Sequence, residues 1–139
     1  MAPDNRKQAK PAIKITSADH QRLTLLAESF ADRNPSGAET LLAELDRARV
    51  VEEHRLGTEV VRMGSRLRFT TDAGEDRTVT LVFPAEADIE AGKVSILTPI
   101  GTALIGLSAG QAIGWVARDG RRHRLSVLAV APASAAIPA

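Results

Sequence analysis

The sequence predicts an α+β fold: a short N-terminal antiparallel helical hairpin, then an antiparallel sheet carrying one short helix. Three observations predict it. Two leucine-rich stripes at helical spacing fill the first third of the 139 residues. Near Val60 the apolar period changes from helical to alternating. Inside the alternating region, Thr98 and Pro99 open a single helical segment, because a threonine can cap and proline suits the first helical position.

The elements follow in order. Residues 1–12 are polar and basic with Pro3 and Pro11, and read as a flexible tail. Leu23, Leu26, Ala27 and Phe30 make one stripe of a helix from about Ser17 to Asp32. Asn34, Pro35, Ser36 and Gly37 break it, and Ser36 with Glu39 has the spacing of a capping box. Ala38, Leu41, Leu42, Leu45 and Ala48 form the second stripe, ending near Val50, so the hairpin occupies residues 13–52. At roughly 15 residues each, the helices are about 22 Å long, too short to be cooperative alone. Such a hairpin should lean on the rest of the chain.

A connector over residues 51–59 leads into a second unit, residues 58–130. Arg66–Phe69 and Arg77–Phe83 read as strands across the turn residues Thr71 to Asp76, and Pro84 stops the second. Lys93–Leu97 is a third strand. Ile100, Ala103 and Leu104 give the short helix one apolar side, and Gly106 suits a left-handed cap at its end. Gly114–Arg118 and Arg121–Val130 make a hairpin about Asp119-Gly120. Residues 131–139 are low in complexity and read as a second flexible tail.

Composition narrows the function. The chain is 44% hydrophobic and 25% charged, the balance of a soluble globular protein. It has no cysteine, which removes disulfides, thiolate metal sites and a cysteine nucleophile, and fits a cytoplasmic location. No apolar run is long enough for a membrane span and no signal-like segment opens the chain. Net charge is +1 but unevenly laid out, with an acidic helical region and a basic C-terminal third. That pattern suits a protein partner with patches of both signs and argues against sequence-specific nucleic-acid binding.

Chemistry-bearing residues are dispersed. His20, His54 and His123 lack metal-ligand spacing, the serines have no nucleophile-elbow context, and the glycines no phosphate-loop pattern. Glu86, Asp88 and Glu90 are either a divalent-cation site or a solvated turn. Arg118, Arg121, Arg122, His123 and Arg124 either touch phosphates or guard an edge strand against aggregation. The expectation is no enzyme, no cofactor and no metal.

The segment Ala87-Asp88-Ile89-Glu90-Ala91-Gly92-Lys93-Val94-Ser95-Ile96, followed by Thr98-Pro99-Ile100-Gly101-Thr102-Ala103-Leu104-Ile105-Gly106, resembles the central motif of the GreA/GreB C-terminal domain. Val60-Val61 and Gly64-Ser65 are similar to that family's entry into its first strand. Lys14 to Asp19, Ala43-Glu44-Leu45-Asp46-Arg47-Ala48 and Met63-Gly64-Ser65-Arg66-Leu67 are closer still to its Rnk subgroup, named regulators of nucleoside diphosphate kinase.

The resemblance covers about residues 13–130. It implies an FKBP-like sheet domain that docks at the rim of the bacterial RNA polymerase secondary channel, on a coiled coil of the largest subunit. In Gre factors an Asp-Ser-Pro tripeptide makes that contact. Leu97, Thr98 and Pro99 stand at the matching positions here, followed by Ile100, with Leu97 in place of the acid. Gre factors also carry paired carboxylates at a long coiled-coil tip, which help hold magnesium for transcript cleavage. The matching tip here, Asp32, Arg33 and Asn34, has one acid, and the hairpin is short. The expected function is therefore a regulator that competes with Gre factors without stimulating cleavage. The alternative is an FKBP-like interaction module or peptidyl-prolyl isomerase unrelated to polymerase, for which four aromatics supply few pocket walls.

Overall fold

In the computed structural model, residues 10–117 and 119–131 are described. The helical unit opens with strand β1 (Lys14–Thr16), which runs directly into α1 (Ser17–Ser29). Thr16 caps α1 by accepting the Asp19 N–H at 3.1 Å. A link through Asp32 and Arg33 joins α2 (Pro35–Arg47), and β2 (Arg49–Val51) follows. The two helices pack on each other, and β1 pairs with β2 in parallel, Ile15 opposite Val50.

Both helices are shorter than the apolar stripes suggest. α1 ends at Ser29, so Asp32, Arg33 and Asn34 lie in the link. The start of α2 also differs from expectation. Asn34, not Ser36, is its cap: the Asn34 Oδ1 accepts the Gly37 N–H at 3.1 Å, and Pro35 takes the first helical position. Asn34 wins because proline after it disfavours the helical region there, leaving Asn34 outside the helix with the non-helical backbone a cap needs. Glu39 is exposed and outside any capping box.

The second unit is a five-stranded sheet in the order β5-β4-β3-β7-β6, formed by β3 (Arg66–Thr71), β4 (Asp76–Val82), β5 (Lys93–Ser95), β6 (Ala112–Val116) and β7 (Arg122–Ala131). Helix α3 (Pro99–Leu104) lies between β5 and β6 in sequence. The sheet is mixed and not wholly antiparallel: β5 runs parallel to β4, Leu81 opposite Val94. The crossover between them needs no long helix, because two single 3₁₀ turns, Pro84–Glu86 and Ile89–Ala91, carry the chain back. In the second of these the Asp88 carboxylate accepts the Ala91 N–H at 3.3 Å, a capping role within the acidic cluster. A register shift at Arg68/Phe69 curls β3 against β7.

One cluster of buried side chains joins the two units. Leu23, Leu41 and Leu45 of the helices share it with Leu67, Phe69, Leu81, Ile113 and Leu125 of the sheet. Lys10 and Pro11, assigned to the tail by sequence, are tied to α2, and Ala131 completes β7. The short helices lean on the sheet, as their length requires.

Candidate docking site

The site begins with the loop Ile96–Thr98 and the first turn of α3. The Thr98 hydroxyl accepts the Gly101 N–H at 3.1 Å and donates to the Ser95 carbonyl at 2.7 Å, so it caps the helix and pins it to the end of β5. Thr102 donates to the Ile96 carbonyl at 2.6 Å and holds the other side of the turn. A Cβ at Gly101 would run into the Ser95 carbonyl oxygen, which is why glycine stands there. Leu97 is only 6% exposed and turns into the core. Thr98, Pro99 and Ile100 are half-buried. At the far end, Gly106 adopts φ +81 and its carbonyl accepts the Lys14 N–H at 3.3 Å.

The hairpin tip sits beside this turn. Gly37 packs so closely on the loop that a Cβ there would lie 2.8 Å from the Leu97 carbonyl oxygen. The two sets of sequence-selected residues are thus neighbours through Asn34 and Gly37. Asp32 and Arg33 face solvent, and the Arg33 guanidinium lies 4.1 Å from the centre of the Phe30 ring.

Two ionic clusters hold the hairpin in this position. Glu44, buried on α2, accepts from Lys10 at 2.8 Å and from Arg47 at 2.9 Å, and Arg47 also donates to the Pro11 carbonyl at 2.6 Å. Burial pushes the Glu44 carboxyl up, but the hydrogen bonds and charges of Arg47 and Lys10 outweigh it and hold the group below the ordinary glutamate range. On α1, buried Asp19 pairs with Arg22 and lies 3.9 Å from Arg62, which also binds Glu53. Arg22 reaches on to the Phe83 ring at 5.3 Å.

Between α2 and the β6–β7 hairpin runs a groove of about 970 Å³, floored by Leu97, Pro99 and Ala103. Trp115 is the one benzenoid side chain among its described lining residues, and it tilts against His123 with ring centres 4.9 Å apart. Arg121 and Arg122 flank the turn and are exposed; Arg118 lies outside the described residues. The His20 Nε2–H donates to the Leu45 carbonyl at 3.1 Å and so ties α1 to α2. Among the described residues no group of three or more His, Asp or Glu side chains is placed to hold a metal, and no helix is long and apolar enough to cross a membrane.

Sequence reasoning selected Thr98 and Pro99 but missed Gly37 and Trp115. A signal for Gly37 existed: Asn34-Pro35-Ser36-Gly37 repeats the pattern cap-Pro-x-Gly of Thr98-Pro99-Ile100-Gly101.

Known proteins share this arrangement. The family model for the C-terminal part of the GreA/GreB transcription elongation factors matches residues 56–132, and that for the Rnk N-terminus matches residues 11–51. The regulator of nucleoside diphosphate kinase of Escherichia coli (strain K12) is 36% identical over 121 residues, covering 86% of this chain and 89% of the relative. The transcription elongation factor GreA of Thermodesulfovibrio yellowstonii is 37% identical over 116 residues, covering 77% of this chain and 73% of the relative. Among solved structures, a prokaryotic transcription elongation factor GreA/GreB from Nitrosomonas europaea aligns with a TM-score of 0.68 at 38% identity, over 86% of this chain and 98% of that one. With both halves matched in order and the curled sheet shared, the chain belongs to the GreA/GreB family, in its Rnk subgroup.

Proposed function

We propose that this chain is a cytoplasmic, non-catalytic transcription regulator that docks on bacterial RNA polymerase at the rim of the secondary channel and competes there with Gre factors. Thr98 and Pro99 make the contact with the coiled coil of the largest subunit, and Leu97 and Ile100 support them from the core side. The division into a helical hairpin, antiparallel and of residues 13–52, and an FKBP-like unit, residues 58–130, is part of the same reading.

One observation carries it: the capped start of α3 stands half-exposed and lines a groove through Pro99, in a chain of this family. Two more speak against cleavage stimulation. Each hairpin helix has 13 residues, about 20 Å at the usual rise, and Gly37 rests on Leu97 so that the tip lies against the sheet unit. The tip offers Asp32 beside Arg33, and one carboxylate is a poor holder of a second divalent ion.

The test is co-purification with core RNA polymerase, with and without a competing Gre factor. The expected result is binding that the Gre factor displaces, with no increase in RNA cleavage by backtracked complexes. Absence of binding to core enzyme at low salt would sink the reading.

A further inference from the structure

We propose that the groove between α2 and the β6–β7 hairpin clasps an acidic helical element of the polymerase, with α2 as its second wall. The inference rests on the docking reading above and adds to it the walls, the anchor and the charge of the partner. The helical hairpin then grips its target from outside the channel.

The two walls are preformed. Ser36, Gly37 and Thr40 of α2 face β6 across a floor of Pro99 and Ala103. Gly37 is packed against the Leu97 carbonyl at one end of α2, and the Glu44 cluster with Lys10, Arg47 and the Pro11 carbonyl fixes the other. A cleft already in shape loses little ordering entropy on binding. The cleft offers about 970 Å³.

The lining defines the occupant. Trp115 is half-buried over an apolar floor that includes Ala103 and Ile113, the setting of an aromatic interface anchor. Arg122 and Arg124 line the groove and form no ion pair among the described residues. Of the carboxylates that line it, Glu44 is engaged by Lys10 and Arg47. Asp72 lies 3.5 Å from His123 and forms an ion pair only when that histidine is protonated, so one carboxylate stands against two unpaired arginines. Leu97 is buried and brings no charge. The available charge is positive, so the complementary surface is acidic. A nucleic-acid backbone is acidic too, but has little that is apolar to lay on Ala103, Ile113 and Trp115. A helix tip with carboxylates and an apolar side chain meets both demands.

The experiment measures equilibrium binding of the full chain to core RNA polymerase at low and moderate salt, for wild type, Pro99→Ala, Thr40→Trp and the double variant Arg122→Glu/Arg124→Glu. Thermal melts confirm that each folds; Thr40, Arg122 and Arg124 are all exposed. The charge-reversed variant should bind about tenfold more weakly at low salt, the scale of losing one interface ion pair, with the deficit shrinking as salt rises. Thr40→Trp, which fills the groove from the α2 side without changing its charge, should weaken binding while leaving the melt unchanged. Undiminished binding by Arg122→Glu/Arg124→Glu overturns an acidic partner. Undiminished binding by Thr40→Trp, with Pro99→Ala impaired, overturns the groove while sparing the docking reading. Loss by the charge-reversed variant of binding to a labelled nucleic-acid duplex alone, or a change in self-association alone, assigns the arginines elsewhere and also overturns it. If wild type fails to bind polymerase, the docking reading falls first and this inference with it.

Discussion

Two helix starts in this molecule are written in the same four-residue pattern and do different work. Asn34-Pro35-Ser36-Gly37 opens α2 and Thr98-Pro99-Ile100-Gly101 opens α3. In both, the cap oxygen takes the glycine N–H at 3.1 Å and proline occupies the first helical position. In both, the glycine is required by a neighbouring carbonyl, that of Leu97 for Gly37 and that of Ser95 for Gly101. Yet Pro35 and Ser36 face solvent, while Gly101 to Leu104 are buried throughout. The local code sets where a helix starts, and the packing of its next turn decides whether that start is a tip or an anchor. The two starts also touch, so the exposed one is seated on the buried one.

Substitutions can break or sharpen that parallel. The largest effect belongs to Gly101→Ala. Alanine normally favours a helix over glycine, but here its methyl meets fixed backbone, and overpacking of this kind costs about 3 kcal/mol; a urea or thermal melt will read it. Glu44→Gln comes next. Removing one partner of a buried ion pair costs about 3 kcal/mol, and the loss should depend on pH. Because the folded-state Glu44 carboxyl titrates below its ordinary value of 4.5, its contribution is present above that pH and fades as pH falls through the lowered folded value. Wild type and Glu44→Gln should therefore converge in stability in acid; a constant gap down to the lowest folded pH would contradict the assignment.

Gly37→Ala ranks third, at about 1–2 kcal/mol. Its methyl would meet the Asn34 amide at 2.5 Å and the Leu97 carbonyl at 2.8 Å, a lesser overlap than that with the Ser95 carbonyl at Gly101, and the tip has a flexible side chain that can give way. An equal loss at both glycines would erase the distinction between tip and anchor. Smallest are the caps. Asn34→Ala and Thr98→Ala should each cost about 1 kcal/mol, with Thr98→Ala the larger because its hydroxyl also donates to the Ser95 carbonyl. Only Thr98→Ala should weaken polymerase binding directly. A stronger binding defect in Asn34→Ala would move the contact to the tip.

Local signals were legible in the sequence. Thr98, Pro99 and Gly106 mark the two ends of α3 by chemistry confined to a few residues, and Asp119-Gly120 marks the turn of the β6–β7 hairpin. At Asn34 and Ser36 two capping residues stood two positions apart, and only the proline between them decides for Asn34. Pairings at a distance left no such trace. β1 is three residues long and its partner β2 lies beyond both helices, so neither has a period to read. β5 pairs in parallel with β4 across a crossover built from single turns, where an antiparallel return was the simpler expectation. The groove has its walls on segments as far apart as Thr40 and Trp115, and no spacing rule joins them. The family resemblance pointed to Thr98 and Pro99 as the proposed contact; it carried no information on the wall that α2 supplies.

The seating of Gly37 on Leu97, and of Ile13 and Lys14 on Gly106, also sets an order of events during synthesis. The helical hairpin leaves the ribosome before its seat exists. At 5–20 residues per second it waits about 2.5–10 s for the Leu97 loop to be made, with Leu23 and Leu41 lacking much of their final cover. Folding of the amino-terminal third is therefore governed by the arrival of α3, and a truncated chain ending before that helix should be a substrate for chaperones or proteases.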